Sequence, residues 1–184
     1  MDNKPASSIY SIVEKAYFRL QAGDVLTHCL EVGTSEPVHE MIQEMVLAGP
    51  QSLEALREIL SEAMKRKAQV YDDLNQVTNQ LSIILKGYGI NLEKQGGNQV
   101  LKSLNESQLL EMLDKQNIDD VAERAEASQI LTDSQELITA LNGKIQLLEN
   151  IEVYLQDWLW GLTYQYIKQS DDEFDNENIK SDLL

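Results

Sequence analysis

Two stretches of this chain repeat apolar residues in an unbroken 3-4-3-4 spacing, and that spacing limits the folds open to it. The first runs Leu53, Leu56, Leu60, Ala63, Lys67, Val70, Leu74, Val77, Leu81, Ile84. The second runs Leu131, Ser134, Ile138, Leu141, Ile145, Leu148, Glu152, Leu155, Leu159, Leu162, Tyr166. Residues three and four apart share a face of an α-helix, and a sustained a/d stripe packs helices side by side at shallow angles. The spacing predicts an all-α fold: an antiparallel, coiled-coil-like hairpin of about 52–86 against about 120–169, set within a helical bundle. Each run has one charged residue on its stripe, Lys67 and Glu152. An antiparallel register that lets these two meet also overlaps the full length of both runs. A partly buried ion pair of this kind helps specify register.

The remaining helices follow from punctuation. Ile9, Ile12, Val13, Ala16, Tyr17 and Leu20 lie on one face of a helix over 6–22, with Ser7 or Ser8 as N-cap. Val25, Leu26, Cys29 and Leu30 extend an apolar face, so the helix either stops at Gly23-Asp24 or continues to Leu30. Gly33 to Pro37 is a break. A short helix over 37–48 follows, and Gly49-Pro50 precedes Ser52, a cap for the long helix. Gly87 reads as the left-handed residue that ends that helix. Residues 90–103 read as loop. Ser103 and Glu106 have capping-box spacing and open a helix over 104–116. Asn117 to Asp120 is a turn and N-cap. The last helix keeps its heptad phase across Gly143 and Gly161, which argues for one continuous element. Residues 170–184 are acidic and poor in apolar side chains, so a disordered tail is expected after a single domain over 1–169.

Composition narrows the function classes. The chain has 184 residues and a formal net charge of -16. Residues 1–92 carry 8 basic and 12 acidic side chains, and residues 93–184 carry 7 and 19. A chain this acidic repels phosphate backbones and anionic lipid, so direct nucleic-acid binding is not expected. Lys65-Arg66-Lys67, the one basic cluster, reads as a solvated helix edge. With one cysteine, Cys29, no internal disulfide forms, which suits a reducing compartment. No secretory leader and no run of ~20 apolar residues is read in the sequence, so a protein of the cytoplasm, or of the soluble interior of an organelle, without a membrane span is expected.

Reactive groups are sparse. Glu36-x-x-His39 has the spacing of a di-iron ligand pair, but such sites need a second copy of the motif and facing carboxylates. His28 and Cys29 are adjacent and point about 100° apart on a helix. Gly87-Tyr88-Gly89 and Gly96-Gly97 lack the strand–loop–helix setting of a phosphate loop. No catalytic residue, metal ligand or cofactor is assigned, and the chain is read as no enzyme.

One surface feature remains. With Leu159 at a heptad a position, Val153, Trp160 and Ile167 all fall at b, and Tyr154 and Tyr164 flank them. A helix apolar on this second side is covered twice. Either the N-terminal helix covers it with Ile9, Val13, Tyr17 and Leu20, or it is an exposed partner or dimer interface. Phe174, in the acidic run Asp171 to Glu177, is the anchor of a second candidate docking motif. The expected function is a non-catalytic protein–protein interaction module: an adaptor, assembly factor or regulatory subunit. The alternative is a self-assembling structural or chaperone-like helical protein. The partner is a second protein or another copy of the chain.

Overall fold

The computed structural model describes residues 5–46, 52–92 and 98–181. The side chains of residues 5–18, of Val46, Ser52, Asn98, Gln99, Lys102 and Tyr166, and of 169–181 lie outside the described residues. Within these bounds the chain is all-α. The helices are α1 (Pro5–Val32), α2 (Glu36–Val46), α3 (Ser52–Gly87), α4 (Asn98–Ser103), α5 (Glu106–Lys115) and α6 (Val121–Ser181).

Local chemistry explains where the helices stop. Three of them end in a left-handed residue that closes the last carbonyls. Gly33 (φ 75°) ends α1, with the N–H groups of Gly33 and Thr34 both donating to the Cys29 carbonyl. Gly89 (φ 79°) ends α3: Ile90 N donates to Leu85 O at 2.9 Å and Gly89 N to Lys86 O at 3.0 Å. Asn117 (φ 59°) ends α5 in the same way, through Ile118 N to Leu113 O and Asn117 N to Asp114 O. These are Schellman-type closures, and at α3 the flanking Leu85 and Ile90 are both buried. The left-handed residue after α3 is therefore Gly89, two positions beyond the expected Gly87, because Ile90 is the apolar residue that returns to the core. Pro37 does not prevent α2. It sits in the first turn, where its missing N–H is not needed, while the Ser35 carbonyl accepts from Val38 and His39.

The stretch expected to be loop over 90–103 contains α4, whose Leu101 is buried, as is Leu104 just after it. The capping box also differs from the expected Ser103–Glu106 pair. Asn105 is the N-cap of α5: its side chain accepts from Gln108 N at 2.9 Å, and the Gln108 side chain accepts from Asn105 N at 3.0 Å. Burial of Leu104 draws the preceding chain into the core and moves the helix start two residues on. Asp120 caps α6 as expected, accepting from the N–H groups of Ala122 and Glu123.

The chain divides into two compact units. One holds the residues through Arg66 together with those from Leu147 onward, and the other holds Lys67–Gln146. Long α3 and α6 contribute to both, so each unit assembles its own apolar cluster from a different part of the same helices. In the first unit, Ala22, Leu26 and Cys29 of α1, Val38 and Ile42 of α2, Leu56 and Ile59 of α3, and Ile151 and Leu155 of α6 form one buried cluster. The Val, Leu and Ile side chains among them contribute about 1.5–3 kcal/mol each when fully buried. Arg66 ties α3 to α1 there. It donates to Gly23 O at 3.0 Å and to Thr27 Oγ1 at 2.8 Å, and pairs with Glu62 at 3.1 Å.

In the second unit Leu81, Leu85, Leu109, Leu113 and Leu131 are buried. Gln135 donates to the carbonyls of Leu101 and Leu104, which holds the α4–α5 junction onto α6. The strict 3-4 reading slips at the end of α3. Ile84 is 38% exposed and Leu85 is 1% exposed, because a straight helix drifts about 20° per heptad. The buried row there runs Leu74, Thr78, Leu81, Leu85, and the Thr78 hydroxyl is satisfied by donating to Leu74 O.

Helix α6 is continuous through Gly143 and Gly161 and extends to Ser181. The residues expected to be disordered from 170 are thus helical as far as Ser181. Adding a residue to an existing helix gains a hydrogen bond without a new nucleation cost, so a polar segment can prolong a helix it would not start.

Candidate functional site

In the first unit α6 has two faces of opposite character. Its inner face places Ile151, Leu155 and Leu162 in the buried cluster, with Leu147, Trp158 and Leu159 packed against it. Its outer face presents Val153, Trp160, Tyr164 and Ile167, which are 58%, 78%, 68% and 57% exposed. At 100° per residue these four positions fall within a sector of about 60° and span about 21 Å along the axis. Scattered exposed apolar residues are ordinary, but four on one line, two of them aromatic, form an apolar stripe, interrupted between Val153 and Trp160 by the exposed Gln156 and Asp157.

The expected members of this surface do not all stay together. Tyr154 is drawn off the line toward α2. Its ring lies 3.9 Å from the His39 ring at 37°, and 6.4 Å from Trp158 in an edge-on arrangement at 71°. One position of rotation from Val153 is enough to move it from the outer face to the flank. The side chain of Phe174 lies outside the described residues. Of the four side chains expected to cover the face, Leu20 is itself 69% exposed, and Ile9, Val13 and Tyr17 lie outside the described side chains.

Two open hollows lie along this part of α6, and Trp160 lines one of them. One, of about 460 Å³, is lined by Arg57, Leu159, Trp160 and Thr163. The other, of about 550 Å³, is lined by Tyr154, Asp157, Trp158, Gly161, Leu162 and Gln165. Gly161 opens the second: no atom lies within 4 Å of where a Cβ would be. An exposed indole beside a hollow is a shape that side chains of another helix can interlock with.

The other groups singled out from sequence have structural settings. Cys29 is fully buried, and burial pushes its thiol up, outweighing the hydrogen bond from the Val38 backbone. A neutral, enclosed thiol is a poor nucleophile. His39 is engaged with Tyr154. Among the described residues no three His, Cys, Asp or Glu side chains are grouped to hold a metal ion. Arg66, read from sequence as part of a solvated edge, is instead the bracket between α1 and α3, and the Thr27 hydroxyl that accepts from it itself donates to Gly23 O. In the second unit an open hollow beside Arg124, Ser128 and Thr132 has its one cation engaged by Asp114 and the Ile118 carbonyl. Nearby, partial burial and then the carboxylates of Glu126 and Glu123 raise the Tyr88 phenol.

No family model, curated protein or solved structure matches this chain.

Proposed function

We propose that this chain is a non-catalytic protein–protein interaction module, an adaptor, assembly factor or regulatory subunit, and that the outer face of α6 is its docking surface. The observation that carries the reading is the exposed line Val153, Trp160, Tyr164, Ile167 on a helix whose opposite face is fully used by the core. Exposed Trp and Tyr beside hollows are the residue types that dominate binding energy at protein interfaces. The enclosed Cys29 and the engaged His39 support a binding role over catalysis. No described helix is long and apolar enough to cross a membrane. The single cysteine and the acidic charge suit the cytoplasm.

The test is photo-crosslinking in the native cell from a reactive side chain placed at Tyr164, with Ile83, also exposed, as the control position. The reading expects one discrete heterologous adduct from 164, absent from 83 and lost on Trp160→Glu. Adducts that are the same from both positions, or none from 164, would defeat it.

A further inference from the structure

We infer that the outer face of α6 receives an amphipathic helix of a partner protein, apolar along the contact and basic at the end that meets residues 171–177. This rests on the interaction-module reading and adds the chemistry of the partner. The four exposed side chains are spaced i, i+7, i+11 and i+14, a straight ridge about four turns long. A ridge of that length and period is matched by the groove of another helix.

Charge sets the rest. Helix α6 does not stop after Ile167 but runs to Ser181. Within it, Asp171, Asp172, Glu173, Asp175 and Glu177 place five carboxylates in seven residues, with no cation before Lys180. By helical register, positions 171 and 174 prolong the line of Trp160, Tyr164 and Ile167. The apolar ridge therefore leads into an acidic end of the same helix. Arg57 lines the hollow beside Trp160, near the middle of the ridge, so the basic complement belongs at the partner's end that meets the acidic run, not along all of it.

The same charges disfavour the other occupants. A second copy docking in parallel would set the 171–177 run against itself. Docked antiparallel about the middle of the ridge, it would set that run against residues 143–149, where Lys144 and Glu149 cancel and supply no net basic complement. Like charges at such contacts act against association. Anionic lipid and nucleic acid are repelled in the same way.

The experiment is selection from a displayed library of helical peptides about five turns long, with apolar residues fixed at i, i+3, i+4 and i+7 spacing and all other positions free. The full-length chain is the bait. Selected helices should concentrate Lys and Arg at one end. Their affinity should fall on the order of tenfold or more with Trp160→Glu or Tyr164→Glu. It should also weaken with salt, and that dependence should largely vanish when Asp171→Asn, Asp172→Asn, Glu173→Gln, Asp175→Asn and Glu177→Gln are combined. Both aromatic variants alter exposed side chains, so folding is retained and is checked by circular dichroism.

Neutral or acidic selected helices that still lose binding with Trp160→Glu would overturn the charge inference and leave the interaction reading standing. Selected helices indifferent to both aromatic variants, or no selected helix at all, would overturn both. Self-association abolished by Trp160→Glu would replace the partner helix with a second copy and overturn the inference.

Discussion

Leu155 and Trp160 lie five residues apart on α6 and should respond to truncation in opposite ways. Leu155 is 0% exposed, within the cluster formed with Leu56 and Ile59. Leu155→Ala removes three carbons, a transfer loss of about 2.4 kcal/mol at ~0.8 kcal/mol per methylene. The void left among side chains from α1, α2 and α3 adds to this, because a packed core collapses only in part. The total should be about 3–4 kcal/mol, inside the ~2–5 kcal/mol range of buried leucine truncations. Trp160 is 78% exposed, so Trp160→Ala removes little buried area, and alanine's better helix propensity returns a few tenths of a kcal/mol. Its net effect should stay within about 0.5 kcal/mol. Urea denaturation followed by helical circular dichroism measures both. Equal losses, or a loss above about 2 kcal/mol for Trp160→Ala, would show that the outer face is covered in the folded chain and would refute the two-faced description of α6.

Other substitutions probe separate parts of the structure. Gly89→Ala should cost more than Gly33→Ala: both have positive φ, worth about 1–2 kcal/mol of strain, but at Gly89 an added Cβ would also lie 2.6 Å from Gln116 Oε1. Thermal midpoints of the two variants check the order, and a reversed order would refute the α3 closure. Gly143→Ala should stabilise by about 0.5–1 kcal/mol, because Gly143 is helical with nothing within 4 Å of its missing Cβ. Destabilisation there would mean that α6 is interrupted at that point. Arg66→Lys should cost about 1–2 kcal/mol despite keeping the charge, since one ammonium cannot reproduce the forked contacts to Gly23 O, Thr27 Oγ1 and Glu62. A denaturation midpoint equal to wild type would remove the bracket between α1 and α3.

The long helices were legible in the sequence because their signal is repeated. Leu131, Ile138, Leu141, Ile145, Leu148 and Leu155 each restate one period, so no single position decides it, and a glycine cannot break the phase. Short elements depend on one or two residues and were less legible. α4 is six residues long, and its packing evidence is Leu101 with Leu104, too few positions to show a period. The N-cap at Asn105 competed with an equally spaced Ser103, and the choice was made by burial of Leu104, a tertiary effect. Gly87 was the expected left-handed residue, and Gly89 takes that role because Ile90, the residue after it, returns to the core. The outer line of α6 was visible as a heptad b stripe, but whether it is covered depends on contacts that spacing does not encode. Tyr154 shows the limit at a single residue: its partner, His39, is remote in sequence and comes from another helix.

The exposed ridge itself can be tested without knowing any partner. The chain has two tryptophans, Trp158 and Trp160. Trp158→Phe leaves Trp160 as the only indole, and Trp160→Phe leaves Trp158, which packs against the core and the Tyr154 ring. Acrylamide quenching of the two single-tryptophan proteins then reads each face of α6 in the folded chain. Trp160 should be quenched nearly as readily as in the urea-unfolded protein, and Trp158 should be protected. Equal protection of both indoles would mean the ridge is covered, and the docking surface described here would not exist.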